Sequence, residues 1–293
     1  MTLLYEILLR TQCVYEWSAA GRLTLRLTPI DQPGVQRLIA SAVTIEPAPA
    51  ARTDRFDYFG NLTSDIHLIE PTRKVEIVMR ARVAREAAIF TADRSPTLSG
   101  LALDIAGQRQ IDSASPHHFT RASPLVAASP EIRKYAREIA PQNGSTFEIV
   151  SAINKAIYTD MTYDGEATEV DTPLEEALKN RRGVCQDFTH IMIACLREIG
   201  IPAGYVSGFL RTEPPKGKPR LEGADAMHAW VRAWCGAEMG WVEFDPTNNM
   251  LAGADHIVAA RGRDYTDVAQ VRGVLRLAGA QAISQTVDVI PVL

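Results

Sequence analysis

Three residues in the second half of the chain have the types and settings that thiol chemistry needs. Cys185 sits in Arg181-Arg182-Gly183-Val184-Cys185-Gln186-Asp187-Phe188-Thr189-His190. Behind it Phe188, Ile191, Met192, Cys195, Leu196 and Ile199 recur at helical spacing until Gly200 and Pro202 stop the run. The pattern predicts an amphipathic helix with Cys185 in its first turn. Unpaired N–H groups and the dipole at such an end favour a thiolate and can stabilise an oxyanion. His228 opens a strand-like run, Ala226-Met227-His228-Ala229-Trp230-Val231, and Asp245 ends another, Trp241-Val242-Glu243-Phe244-Asp245-Pro246. A thiol nucleophile needs an imidazole to take its proton, and the imidazole needs an acceptor to fix its tautomer. Each residue alone has a plainer role: a buried thiol, a structural histidine, a turn aspartate. The three together supply a Cys-His-Asp set.

The elements that must carry this set are legible around it. Residues 1–115 read as β-rich, with period-two alternation in Leu23-Thr24-Leu25-Arg26-Leu27-Thr28 and in Val75–Val83, punctuated by prolines and glycines. Residues 95–125 are rich in Ser, Pro and Gly and read as a connection between domains. Helix starts follow at Ser129-Pro130, at Ser145 with Glu148 as a capping box, and at Thr172-Pro173. From Gly204 to Phe244 the pattern returns to strands. Helices followed by strands predict an α+β chain of two domains: residues 1–115 sandwich-like, and residues 116–293 holding helices and then an antiparallel sheet.

Composition narrows the function classes. The 293 residues are 46% hydrophobic and 23% charged, enough apolar material for a sizeable core. A formal net charge of -4 gives no electrostatic footprint for nucleic acid or an anionic membrane. No apolar run reaches the ~20 residues that span a bilayer, and the first residues lack a signal-peptide pattern, so a cytoplasmic protein is expected. Four cysteines without C-x-x-C, and no H-E-x-x-H, predict neither a disulfide framework nor a metal site; no cofactor is expected.

The strings Arg182-Gly183-Val184-Cys185-Gln186-Asp187, His228-Ala229-Trp230-Val231 and Gly240-Trp241-Val242-Glu243-Phe244-Asp245-Pro246-Thr247-Asn248 resemble the bacterial transglutaminase-like family of papain-like thiol enzymes. So do Asp57-Tyr58-Phe59-Gly60-Asn61 and Gly262-Arg263-Asp264-Tyr265-Thr266-Asp267-Val268, extending the likeness over nearly the whole chain. Met227 and Gln270 depart from it, where a small residue and a proline are common. The resemblance implies Cys185 as nucleophile, His228 as general base and acid, and Asp245 as the residue orienting His228. It implies an acyl-enzyme formed from a peptide or glutamine side-chain amide, resolved by water or by an amine; the alternative is a non-catalytic peptide-binding module of the same fold. Tyr158, Tyr163 and Gln186 are candidate side-chain oxyanion donors beside the Cys185 backbone N–H. Asp187 reads as a helix-end carboxylate, His190 as structural and Trp230, Trp234 and Trp241 as core or cleft walls. Arg181 and Arg182 read as solvated surface, and His117 and His118 show no partner in sequence. Thr212–Pro219 reads as a flap.

Overall fold

The computed structural model describes residues 2–86, 92–165, 172–212, 223–276 and 279–292. The expected flap lies outside them apart from Thr212. The first strands are β1 (Thr2–Leu25), β2 (Gln36–Glu46), β3 (Ala51–Phe56) and β4 (Leu62–Glu86). Then come α1 (Leu98–Gly107), α2 (Pro130–Ile139), α3 (Thr146–Asp160), β5 (Thr162–Tyr163), α4 (Leu174–Asn180), β6 (Arg182–Gly183) and α5 (Cys185–Glu198). The remainder is β7 (Ala203–Leu210), β8 (Ala226–Trp234), β9 (Trp241–Asp245), β10 (Met250–Leu251), β11 (His256–Gly262), α6 (Tyr265–Val268), β12 (Val271–Arg276) and β13 (Gln281–Val292). No helix among the described residues is long and apolar enough to cross a membrane.

β1 and β4 form the spine of a six-stranded sheet ordered β12-β1-β4-β2, with β13 also on β1 and β3 also on β4. Tyr5, Ile7, Leu9, Thr11, Cys13 and Tyr15 alternate inward along β1 and are buried, as the pleat requires. Register shifts between Val14 and Gly21 bend the β1–β4 pair, so β13 covers one arm of β1 and β12 the other. Within residues 271–292, which the sequence reading placed with the second domain, β12 and β13 both pair with β1 in the first sheet. β1 has two edges to satisfy, and β4 satisfies only one. Local pattern cannot report that the other edge is filled from some 270 residues away.

The expected connection over 95–125 also holds structure. α1 buries Leu101 in the helical core, and His118 meets the Tyr58 hydroxyl at 2.8 Å while His117 meets the Gln108 carbonyl at 3.0 Å. α2 starts at Ser129, whose Oγ accepts from the Ile132 N–H, and α3 starts on the Ser145–Glu148 capping box. α4 takes Pro173 as its N-cap, one residue later than the Thr172 start read from sequence. α5 is enclosed on every side rather than on one face, since Phe188 through Arg197 are all buried. Each fully buried Phe, Ile, Met or Leu there contributes ~1.5–3 kcal/mol against exposure. Gly200, at φ 90°, ends the helix in a left-handed turn.

The second sheet is ordered β10-β9-β8-β7-β11 and is antiparallel throughout. Ala229, Val231 and Ala233 of β8 join the core with α5, while His228, Trp230 and Arg232 alternate with them. Gly208 of β7 lies opposite His228, where a Cβ would fall 2.1 Å from the Ile257 carbonyl oxygen and 2.5 Å from the Trp230 ring. Only glycine lets β11 and Trp230 approach that closely.

Candidate active site

Cys185 stands at the first position of α5, half-buried, whereas Cys13, Cys195 and Cys235 are buried. Burial pushes the Cys195 and Cys235 thiols up to about 12 and raises Cys13 as well. Three of the four cysteines are thus held as inert thiols. The turn that presents Cys185 is set by Asp187, whose carboxylate accepts from the Val184 N–H at 2.8 Å. This is half of a capping box, since valine has no side-chain acceptor to complete it. Gly183 permits it: a Cβ there would lie 2.4 Å from the Asp187 carboxylate. The Tyr163–Gly183 register of the short β5–β6 pair ties the loop before α5 to the end of α3.

His228 is buried and its Nε2 lies 2.8 Å from Asp245 Oδ2. An ionised carboxylate only accepts, so Nε2 carries the proton and Nδ1 is the nitrogen left for the thiol. Cys185 is the hydrogen-bonding and electrostatic neighbour of this ring. Burial lowers the His228 pKa, but the Asp245 and Cys185 hydrogen bonds and charges outweigh it and lift the value to about 9. The three sequence candidates therefore meet in one place.

Asp245 is fully buried and gathers five donors. Oδ1 accepts from the N–H groups of Thr247 (2.9 Å) and Asn248 (3.2 Å), the turn chemistry that Asp-Pro-Thr-Asn supplies. Oδ2 accepts from His228, from Asn248 Nδ2 at 2.7 Å and from His256 Nε2 at 3.0 Å. Burial alone would raise this carboxyl; the donors hold it well below the usual range.

His256 is the residue that sequence reasoning missed. It is 1% exposed, and its Nδ1 accepts from the Gly253 N–H at 3.2 Å, which fixes Nε2 as the donor to Asp245. Its signal was present: like His228, it opens an apolar run, here Ile257-Val258-Ala259-Ala260. The ligand atoms of His228, Asp245 and His256 lie within 4.8 Å of one another, a donor set that carries neither a C-x-x-C nor an H-E-x-x-H spacing. Both imidazoles bond directly to one carboxylate oxygen, so an ion at the centre would have to break both bonds.

Tyr163, Tyr205 and Tyr265 also surround the thiol. Burial raises all three phenols and the Cys185 charge adds to it, so each keeps its proton and can donate. Of the side-chain donors named from sequence, Tyr163 is tied to Cys185 in this way, whereas Gln186 occupies the second position of α5 and Tyr158 lies on α3. His190 is structural: burial pushes it down to about 4, and its Nε2 accepts from the Tyr265 N–H. Trp230 is core and stacks on the His228 ring, 6.1 Å between centroids. Trp234 is core too, while Trp241 is partly exposed and donates to the Ala114 carbonyl. Arg181 stacks on Tyr135 and pairs with Asp160; Arg182 pairs with Asp164.

Comparison with known proteins gives the same frame. Residues 133–246 match the transglutaminase-like superfamily core, and residues 5–84 match the bacterial transglutaminase-like N-terminal region. An uncharacterized protein of Mycobacterium tuberculosis strain H37Rv is 37% identical over 268 residues, covering 87% of this chain and 82% of that one. An uncharacterized protein of Mycobacterium leprae is 32% identical over 283 residues, 95% of each chain. A solved structure from Cytophaga hutchinsonii, assigned provisionally as a cysteine protease, superposes with a TM-score of 0.79 at 18% identity, over 99% of this chain and 91% of that one. That likeness shows the fold, and the sequence matches at both ends of the chain show the family: this chain belongs to the transglutaminase-like superfamily, with the bacterial transglutaminase-like N-terminal region.

Proposed function

We propose that the protein is a cysteine-dependent amide hydrolase or acyl transferase that forms an acyl-enzyme on Cys185 from a peptide or glutamine side-chain amide. The observation that carries this reading is the buried His228–Asp245 hydrogen bond, which leaves Nδ1 to the half-buried thiol at a helix N-terminus. His228 holds the thiol proton as Sγ attacks the carbonyl carbon. The Cys185 N–H, with Tyr163 as side-chain donor, stabilises the oxyanion. As the C–N bond breaks, His228 returns the proton to the leaving amine. A second nucleophile then attacks the thioester while His228 takes its proton, and the thiolate leaves. Water gives hydrolysis and a lysine amine gives transamidation. Water is the default acceptor, and hydrolysis is the favoured outcome. No metal or organic cofactor enters these steps.

The test compares wild type with Cys185→Ala on mixed peptide and glutamine-amide substrates, with and without a primary amine. Iodoacetamide labelling is read at each cysteine by mass spectrometry. Fast labelling confined to Cys185, with turnover lost in a variant that keeps its melting temperature, supports the reading. Equal, slow labelling of all four cysteines would remove it, and so would turnover surviving in Cys185→Ala.

A further inference from the structure

The face of the second sheet that carries His228 and Asp245 continues into a second polar site. Along β8 the side chains of His228, Trp230 and Arg232 alternate with core residues, and on β9 Glu243 precedes Asp245 by two and pairs in register with Arg232. Here the sheet meets the first sheet around a cavity of about 330 Å³ lined by Arg85 from β4 together with Arg232, Glu243 and Arg261. Three guanidiniums face one carboxylate, so the charged lining carries two positive charges more than negative.

That carboxylate is already engaged. Glu243 pairs with Arg261 and accepts from the Trp230 Nε1–H at 2.9 Å. Arg85 and Arg232 are 2% and 5% exposed; the Glu243 charge reaches both, but neither forms a contact ion pair with a carboxylate among the described residues. Arg85 donates to the carbonyls of Val35 and Gly253 but leaves Nε unpaired. The Arg232 guanidinium is held between the rings of Phe119 and Trp241, at 4.4 and 4.5 Å, and its Nε and Nη2 are both unpaired. Arg261 Nε is unpaired as well. Burial and the charge of Arg261 push Arg232 down to about 9, which leaves it cationic at neutral pH. A buried cation without a partner is expensive, and protein interiors rarely tolerate two. The aromatic sandwich meets the faces of Arg232 and leaves its edge. The Nε–Nη2 edge binds a carboxylate or phosphate through two parallel hydrogen bonds.

We propose that the cavity ringed by Arg85, Arg232 and Arg261 binds a small ligand through an oxyanion group, a carboxylate or a phosphate. Two negative charges there would balance the lining and satisfy the orphaned nitrogens. The site is separate from the thiol centre: Arg232 lies four residues beyond His228, ~13 Å along the strand, with the buried Trp230 between them.

The experiment titrates the full chain with inorganic phosphate, with acetate and with citrate, at ionic strength matched by potassium chloride. Calorimetry reports binding, and so does the tryptophan fluorescence, to which Trp241 contributes from its place against Arg232. Saturable binding of at least one oxyanion above the chloride control is expected, and which anions bind separates a phosphate ligand from a carboxylate one. Arg232→Met should weaken it by about tenfold or more, as loss of a charged, bidentate contact implies. The variant should keep or raise the melting temperature in oxyanion-free buffer, because an unpaired buried charge has been removed, and should label Cys185 at the wild-type rate. Arg85→Met carries the same expectation should Arg232→Met fail to fold. No saturable binding by any oxyanion would mean that water alone fills the cavity and would overturn the proposal. Equal binding by wild type and both variants would do the same.

Discussion

Asp245→Asn perturbs the site at the atom where most of its hydrogen bonds meet. Oδ1 keeps its bonds from the Thr247 and Asn248 N–H groups, because an amide oxygen can occupy that place. The atom at Oδ2 becomes an NH₂ facing two imidazole N–H donors, His228 at 2.8 Å and His256 at 3.0 Å. Donor meets donor, so each ring must change tautomer or turn away. The Asp245 hydrogen bond and charge are two of the four effects that raise His228 against its burial, the hydrogen bond being the largest of the four. Without them the His228 pKa should fall from about 9 toward its ordinary 6.5; the whole of that interval is roughly 3 kcal/mol of preference for the imidazolium at 1.36 kcal/mol per pKa unit. Wrong-tautomer substitutions of this kind cost up to ~10⁴ in turnover in a serine protease triad. Nitrogen-detected NMR of the His228 ring follows the titration directly, and circular dichroism checks that the fold survives. A variant in which His228 still titrates near 9 would show that Asp245 does not set the histidine, and the triad assignment would fail.

The remaining predictions use the same charges. The alkaline limb of the activity profile should have its midpoint near pH 9, where the His228 imidazolium loses its proton. Stability should follow the linkage sign: the His228 contribution is complete below 6.5 and lost as pH rises through about 9. The Asp245 contribution is present above its ordinary 3.8 and lost as pH falls through its depressed folded value, so thermal melts should plateau between about pH 4 and 6.5. His256→Phe keeps the ring volume but removes one donor from a fully buried carboxylate. It should cost roughly 1–3 kcal/mol of stability and shift the alkaline limb, with Cys185 still labelled; an unmoved pH profile would limit His256 to packing.

The three candidate residues were legible because each sits at the end of an element whose period shows in sequence. Phe188 to Ile199 spells a helix, so Cys185 had to lie at its start; Trp230 and Val231 spell a strand, so His228 had to open it. The capping box at Ser145–Glu148 was readable for the same reason, as every partner lies within three residues. What local pattern could not carry is pairing at long range. β12 and β13 look like strands in any sheet, and only the unfilled edge of β1 places them. His256 escaped because its role is defined by Asp245 rather than by its neighbours in sequence. The arginine pocket escaped because its members come from β4, β8 and β11, and singly Arg85, Arg232 and Arg261 look like outward residues of alternating strands. The enclosure of α5 on every side was hidden by Thr189 and His190, polar residues that the core nonetheless buries.

The same long-range pairing explains what the first sheet does for the site. β11, which carries His256, is an edge strand of the second sheet, with its outer N–H and C=O groups unpaired by any strand among the described residues. Two amide side chains of the N-terminal half cover that edge. Gln36 both accepts from and donates to Val258, at 2.9 Å each way, and Asn61 does the same for Arg261, at 2.7 and 2.8 Å. An amide matches a peptide group donor to acceptor, so each acts as a one-residue strand. Tyr5 of β1 adds a bond to Asp255, next to His256, and Asp225, just before β8, accepts from the Val289 N–H of β13. The strands bearing His256 and His228 are thus each tied to the first sheet beside the histidine that opens them. Its bonds to Val258 and Arg261 fall on the β11 backbone, and those to Asp255 and Asp225 fall on side chains just before β11 and β8, so the first sheet and its turns help to place the two imidazoles against Asp245.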